Sequence, residues 1–199
     1  GRQLPEVLSV EEIDQILSVI DLSKPEGVRD HCIIEVLYSC GLRISELTGL
    51  LISNLFLDEG FMRIHGKGNK ERLVPISGKA IRELRMWLDI RKHIDIQKGY
   101  DDHVFVSRTR GKALSRISLF VFIQRYAAQA GITKEISPHT FRHSFATHLL
   151  QGGANLRAIQ DMLGHESLST TEIYMHLDTS HLREQILTCH PRSKKKLKL

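Results

Sequence analysis

The 199-residue sequence holds only three cysteines, Cys32, Cys40 and Cys189. Their number is odd and none lies in a CxxC pair, so neither a disulfide framework nor a zinc knuckle is expected, and a reducing compartment fits. No apolar run approaches the roughly 20 residues that a bilayer crossing needs. The N-terminus lacks the basic-then-apolar pattern of a secretory signal, so no membrane association is expected and the protein is placed in the cytoplasm. Internal repeats are missing, and the one low-complexity stretch is the basic end from Ser193 to Lys198. No cluster of Asp and Glu resembles a two-metal nuclease. What is there is 41% hydrophobic, enough for one substantial core but not for two ordinary domains. Lys and Arg exceed Asp and Glu by 28 to 23, a net charge of +5. That surplus suits a polyanion partner such as nucleic acid, although it would serve solubility equally well.

Capping signals and apolar periodicity divide the chain. Ser9 with Glu12 makes a capping box ahead of Ile13, Ile16, Leu17 and Ile20, which predicts a helix over 10–20. Ser23 with Glu26, and Pro25 in the first turn, predicts a second helix that reaches Tyr38 and stops at Gly41. A short helix over 43–50 follows. Alternating or β-branched segments at 53–57, 61–65 and 72–76, separated by 58–60 and 66–70, predict three antiparallel strands. Helical signals return over 78–92, 116–130, 138–150, 156–163, 170–176 and 180–187. The expected fold class is therefore mainly α (α+β), with one small three-stranded antiparallel sheet. Residues 1–8 read as a linker remnant, 9–190 as the folded domain and 191–199 as a basic tail.

Several segments have the residue types for phosphate chemistry. Ser137 and Pro138 read as the start of a helix that carries His139 and Arg142, three apart and so on one face at the positive end of the dipole. Alone, the pair reads equally well as a capping histidine and a solvated arginine. His139 and His143 have the spacing of a metal pair, but no glutamate stands between them and Arg142 would repel a dication. His165 follows Gly164 at a helix end, and Tyr174 comes nine residues later; by itself such a tyrosine is more often a core aromatic. Arg43 has apolar neighbours and Glu46 within pairing distance along the chain. Lys67 sits in a glycine-flanked β-turn where a solubilising role would suffice.

In order, these residues spell arginine, turn lysine, His-x-x-Arg, Gly-His and tyrosine. The blocks Gly41 to Leu47, Gly66 to Arg72, His139 to Leu150, Gly152 to Arg157 and Leu163 to Tyr174 resemble the tyrosine recombinases of the phage integrase family across nearly the whole chain. Within the family the likeness is to the bacterial XerC and XerD branch. The ending Cys189-His190-Pro191-Arg192 leans toward XerD.

That resemblance implies a helical catalytic domain over 9–190, with the family's N-terminal core-binding domain absent. It implies Arg43 and Arg142 as an arginine pair, Lys67 as the β-turn lysine, His139 and His165 as active-site histidines and Tyr174 as nucleophile. Attack by a phenolate on a phosphodiester builds negative charge on the non-bridging oxygens, which two guanidiniums and an imidazole can offset. A tyrosine with a pKa near 10 needs a base or a positive site, and His139 is the candidate base. Lys67 is the candidate acid for the departing 5′ oxygen. Because the phosphotyrosine link conserves the bond energy, no cofactor, metal or ATP is expected. The implied partners are a double-stranded DNA recombination site, sister protomers in a homo- or hetero-tetramer and a DNA translocase as activator, in a bacterial, nucleoid-associated setting. The implied function is strand cleavage and rejoining in chromosome dimer resolution. Integration of a mobile element and type IB topoisomerase-like relaxation are the alternatives. The last predicted helix, with Leu182, Ile186 and Leu187, would dock on a neighbouring protomer or pack on its own domain.

Overall fold

The computed structural model describes residues 6–164 and 179–194. The first helix, α1 (Val10–Ser18), opens on the predicted box: Ser9 Oγ accepts from the Glu12 N–H at 3.1 Å and Glu12 Oε1 accepts from the Ser9 N–H at 2.9 Å. The second box does not form. Ser23 turns its hydroxyl and N–H back onto Asp21, and α2 (Pro25–Cys40) starts on the fixed φ of Pro25 with Lys24 as an uncapped flank. It runs two residues past Tyr38 to Gly41, whose φ of +68° closes the helix.

α2 is buried on nearly every side and forms the axis of the domain. Around it lie α1, α3 (Ile44–Thr48), α4 (Gly78–Arg91), α5 (Arg116–Gln129) and α6 (Thr140–Gln151). Trp87, Tyr38 and Phe105 are among the largest side chains sealed in this core. A second apolar cluster joins Phe145 and Leu149 of α6, Ala158, Ile159 and Met162 of α7 (Leu156–Leu163), and Ile186 and Cys189 of α8 (Thr179–Cys189). α8 thus packs on its own domain, with Ile186 inward and Leu187 exposed.

The sheet has the predicted strand order and antiparallel sense, β1 (Leu55–Phe56), β2 (Phe61–His65) and β3 (Glu71–Pro75). β1 is shorter than expected because Ile52–Asn54 coil into a 3-10 turn. In β2 and β3 the inward face carries Met62, Ile64, Val74 and Arg72, the last opposite Ile64. The β2–β3 connection is a 3-10 turn over Lys67–Asn69 with Gly68 and Asn69 at positive φ, closed by the Gly66 N–H on the Lys70 carbonyl at 2.6 Å.

After α8, Pro191–Lys194 forms a short α9. Its Arg192 is buried against Glu35 of α2 at 3.2 Å and Asp14 of α1 at 2.6 Å, so the first residues of the expected basic tail are tied into the fold. Among the described residues no helix is long and apolar enough to cross a membrane.

Candidate active site

The centre of the site is a carboxylate. Glu46, in the first turn of α3, is 7% exposed and accepts the N–H of Arg43 at 2.8 Å, which fixes the start of that helix. Three guanidiniums meet it. Arg72 binds both oxygens, Nη1 to Oε2 at 2.5 Å and Nη2 to Oε1 at 2.8 Å. Arg43 Nη1 is 3.5 Å from Oε2, and Arg142 Nη1 is 3.8 Å from Oε1. Burial would raise the Glu46 carboxyl, but the hydrogen bond and charge of Arg72, together with the N–H and charge of Arg43, outweigh it and hold the group below the usual carboxylate range.

Arg142 lies in the first turn of α6 and is 8% exposed. It donates to the Gly41 carbonyl at 3.0 Å and to the Leu163 carbonyl at 2.6 Å. Burial, then the charges of Arg43 and Arg72, pull its pKa down to about 9, against the pull of Glu46. Three guanidiniums around one carboxylate leave two formal positive charges uncompensated. Arg43, about one-third exposed, is the member open to solvent. Such a surplus at a half-open edge is a place for a phosphodiester.

The sequence-predicted residues fall into three groups. Arg43 and Arg142, 99 positions apart in the chain (142 minus 43), converge on Glu46. Lys67 is exposed on the β2–β3 turn, next to Gly66, where an added Cβ would lie 3.4 Å from Glu46 Oε2; the turn is rooted at the cluster. His139 is exposed and occupies the N-cap position of α6 without a side-chain capping bond, three residues before Arg142. The expected N-cap, Ser137, instead closes a preceding turn: its Oγ accepts from the His139 N–H at 3.2 Å, and its carbonyl accepts from the Thr140 N–H. Pro138 therefore precedes the helix, which begins two residues later than predicted. His165 and Tyr174, and the predicted helix over 170–176, lie outside the described residues. Among the described residues no three His, Cys, Asp or Glu side chains gather as a metal site would need.

Two contributors were not singled out from sequence. From sequence, Glu46 reads only as a local partner for Arg43. Arg72 carried a usable signal: in a strand whose Val74 faces inward, Arg72 must face inward too, and a buried arginine needs a buried anion. A cleft of about 780 Å³ between α2 and α5, lined among others by Arg29, Asp30 and Arg125, contains none of the six predicted residues.

Residues 6–181 match the phage integrase family model. The chain is 46% identical over 195 residues to the tyrosine recombinase XerD of Chlorobaculum tepidum, covering 96% of this chain and 64% of that relative. To the tyrosine recombinase XerC of Proteus mirabilis it is 44% identical over 195 residues, covering 98% and 62%. The chain thus spans a little under two thirds of the length of these relatives. Its fold is similar to that of the XerH site-specific recombinase bound to palindromic difH substrate in a post-cleavage complex, with a TM-score of 0.72 and 33% identity over 92% of this chain and 52% of that one.

Proposed function

This chain belongs to the phage integrase family, and from that premise we propose that it cuts and rejoins DNA strands as the catalytic unit of a site-specific tyrosine recombinase acting in chromosome dimer resolution. The observation that carries the reading is the meeting of Arg43 and Arg142 at one carboxylate with positive charge to spare. A phosphodiester docked there has its non-bridging oxygens met by two guanidiniums, with His165 as a third donor.

The chemistry follows from the residue types. The Tyr174 phenol gives its proton to His139, and its oxygen attacks phosphorus. The P–O5′ bond breaks and Lys67 protonates the departing oxygen, leaving a 3′-phosphotyrosine and a free 5′-hydroxyl. Rejoining is the reverse, with the 5′-hydroxyl of a partner strand as nucleophile and Tyr174 as leaving group. Energy stays in the phosphate ester throughout, so the cycle balances without ATP.

A DNA partner is supported by the difH-bound relative. Relatives named for both XerC and XerD favour site-specific recombination over mobile-element integration or topoisomerase-like relaxation. We extend the reading to a tetramer of sister protomers on paired sites, activated by a DNA translocase and working at the nucleoid.

The test uses a duplex selected for binding from a randomised pool, then nicked beside the cleavage point so that the leaving strand diffuses away. With EDTA present, a protein–DNA adduct stable to denaturant should accumulate, and Tyr174→Phe should abolish it. Absence of any adduct, or an adduct that survives Tyr174→Phe, overturns the reading.

A further inference from the structure

We infer that Arg72 is a positioning residue of the active site, holding Arg142 and the end of α7 in register with Arg43. The inference rests on the recombinase reading, since it requires the arginine pair to meet the scissile phosphate.

Arg72 engages each of its three guanidinium nitrogens with one of two partners that are far apart in sequence. Nη1 and Nη2 grip both oxygens of Glu46, and Nε donates to the Met162 carbonyl at 2.8 Å. At 3% exposure it has no free edge to offer a substrate. Its effect must pass through what it holds. Glu46, on one side, sets the start of α3 through the Arg43 N–H and stands between the Arg43 and Arg142 side chains. Met162, on the other, is the penultimate residue of α7, and the carbonyl of the next residue, Leu163, is taken by Arg142.

The last two carbonyls of α7 are therefore each bound by a different guanidinium, and those two guanidiniums share Glu46. The chain leaves α7 through Gly164, at a φ of +70°, where an added Cβ would lie 3.2 Å from Arg72 Cδ. His165 is the next residue. On the third side, an added Cβ at Gly66 would lie 3.5 Å from Arg72 Nη1, so the turn carrying Lys67 starts against the same side chain. A lysine here would keep the charge but not the planar fork that satisfies both carboxylate oxygens and a carbonyl at once.

The experiment compares full-length wild type, Arg72→Lys, Arg142→Ala and Lys67→Ala in single-turnover cleavage of the nicked duplex at saturating DNA. Three scissile groups are used: an ordinary phosphate, a methylphosphonate lacking the non-bridging charge, and a 5′-bridging phosphorothiolate whose leaving group needs no proton. On the ordinary phosphate Arg72→Lys should cleave about 100-fold more slowly, the penalty of a misplaced catalytic group, while its DNA affinity changes little. On the methylphosphonate that deficit should shrink, as should that of Arg142→Ala. On the phosphorothiolate it should persist, whereas Lys67→Ala recovers.

Equal slowing on all three substrates would show a merely structural role and overturn the inference, as would a wild-type rate on the ordinary phosphate. A wild type that forms no adduct on any substrate sinks the recombinase reading and this inference with it. Controls that behave as expected beside a normal Arg72→Lys sink the inference alone. If Arg72→Lys shows no cooperative unfolding transition, Glu46→Gln, which keeps the shape and removes the charge, takes its place. The same pattern is then expected, and equal slowing is again decisive against it.

Discussion

Arg142 donates from Nη1 to the carbonyl of Gly41 at 3.0 Å, tying the first turn of α6 to the residue that ends α2. Gly41 answers three demands at once. Its φ of +68° turns the chain out of α2, its carbonyl faces Arg142, and its bare Cα lets the Phe145 ring approach so closely that an added Cβ would lie 2.4 Å from Cδ1. The backbone turn, the Phe145 packing and the Arg142 side chain therefore all meet at one residue.

Gly41→Ala should be severe for that reason. The left-handed conformation costs an L-residue about 1–2 kcal/mol, and forcing a methyl into a packed ring about 1–3 kcal/mol more. A urea titration should show a loss of roughly 3 kcal/mol with unchanged slope. Because Arg142 hangs on the displaced carbonyl, the cleavage rate should fall further than DNA affinity does. A variant as stable as wild type would mean that Phe145 yields freely.

Glu46→Ala removes the shared carboxylate and leaves Arg72 buried without an anion. Breaking one side of a buried pair costs about 3–5 kcal/mol, whereas removing both sides costs much less. The double variant Glu46→Ala/Arg72→Met should accordingly be more stable than Glu46→Ala alone, as read in a denaturation double-mutant cycle. Additive losses would show that the two side chains do not act as a pair.

Arg192 anchors the far end of the described chain. It closes on Glu35, which is fully buried, and on Asp14, with its guanidinium over the Tyr38 ring at 5.4 Å. Lys79, 3.4 Å from Glu35 Oε2, remains as a second cation. Arg192→Ala should therefore lower stability by about 3 kcal/mol, the low end for an orphaned buried charge. Removing everything after Thr179 should cost more, because it also strips Ile186 and Cys189 from the Phe145 cluster. Full retention of the unfolding midpoint after truncation would show that α8 and α9 contribute nothing to their own domain.

Much of this architecture was legible in sequence because it is written locally. The Ser9 box, the stop at Gly41, the glycine-flanked turn at Lys67 and the switch from period 3.6 to period 2 near Leu55 each depend on neighbours within a few residues. The second capping box failed because Asp21 offered Ser23 a closer acceptor. The start of α6 was misplaced because Ser137 spends its hydroxyl on a turn, a choice that propensity does not resolve. For the site, Arg43 and Arg142 were recognisable by motif, but their common partner was not. Glu46, Arg72 and the α7 carbonyls are joined across 26 and 90 positions, and no local pattern encodes that pairing. The buried Arg192 was missed for the same reason: next to a run of lysines it reads as tail, and only Asp14 and Glu35 make it core.

The pH dependence of stability tests the C-terminal packing from another side. His190 is 1% exposed, packed between the Tyr38 and Phe145 rings, with Nδ1 accepting the Arg192 N–H at 3.1 Å. Burial above all, with the charge of Arg192 adding to it, pushes its pKa down to about 3. His148, hydrogen-bonded to Tyr38, is also lowered by burial. A base whose folded pKa is depressed binds its proton more readily when unfolded. Above the ordinary histidine value both states are neutral and nothing is lost; below it the unfolded state gains a proton that the folded state refuses, so stability falls as pH drops. From pH 7 to pH 5 the fall attributable to His190 should be about 2 kcal/mol. Glu12, Glu26 and Glu46, held below their usual range, lose their contribution only at lower pH, so they leave this window clear. Urea midpoints measured between pH 5 and 7 should slope upward in wild type, and His190→Asn, which keeps an acceptor for the Arg192 N–H but cannot take a proton, should make the slope shallower, leaving the part that His148 contributes. An unchanged slope in that variant would mean that His190 is protonated as readily in the fold as in the open chain.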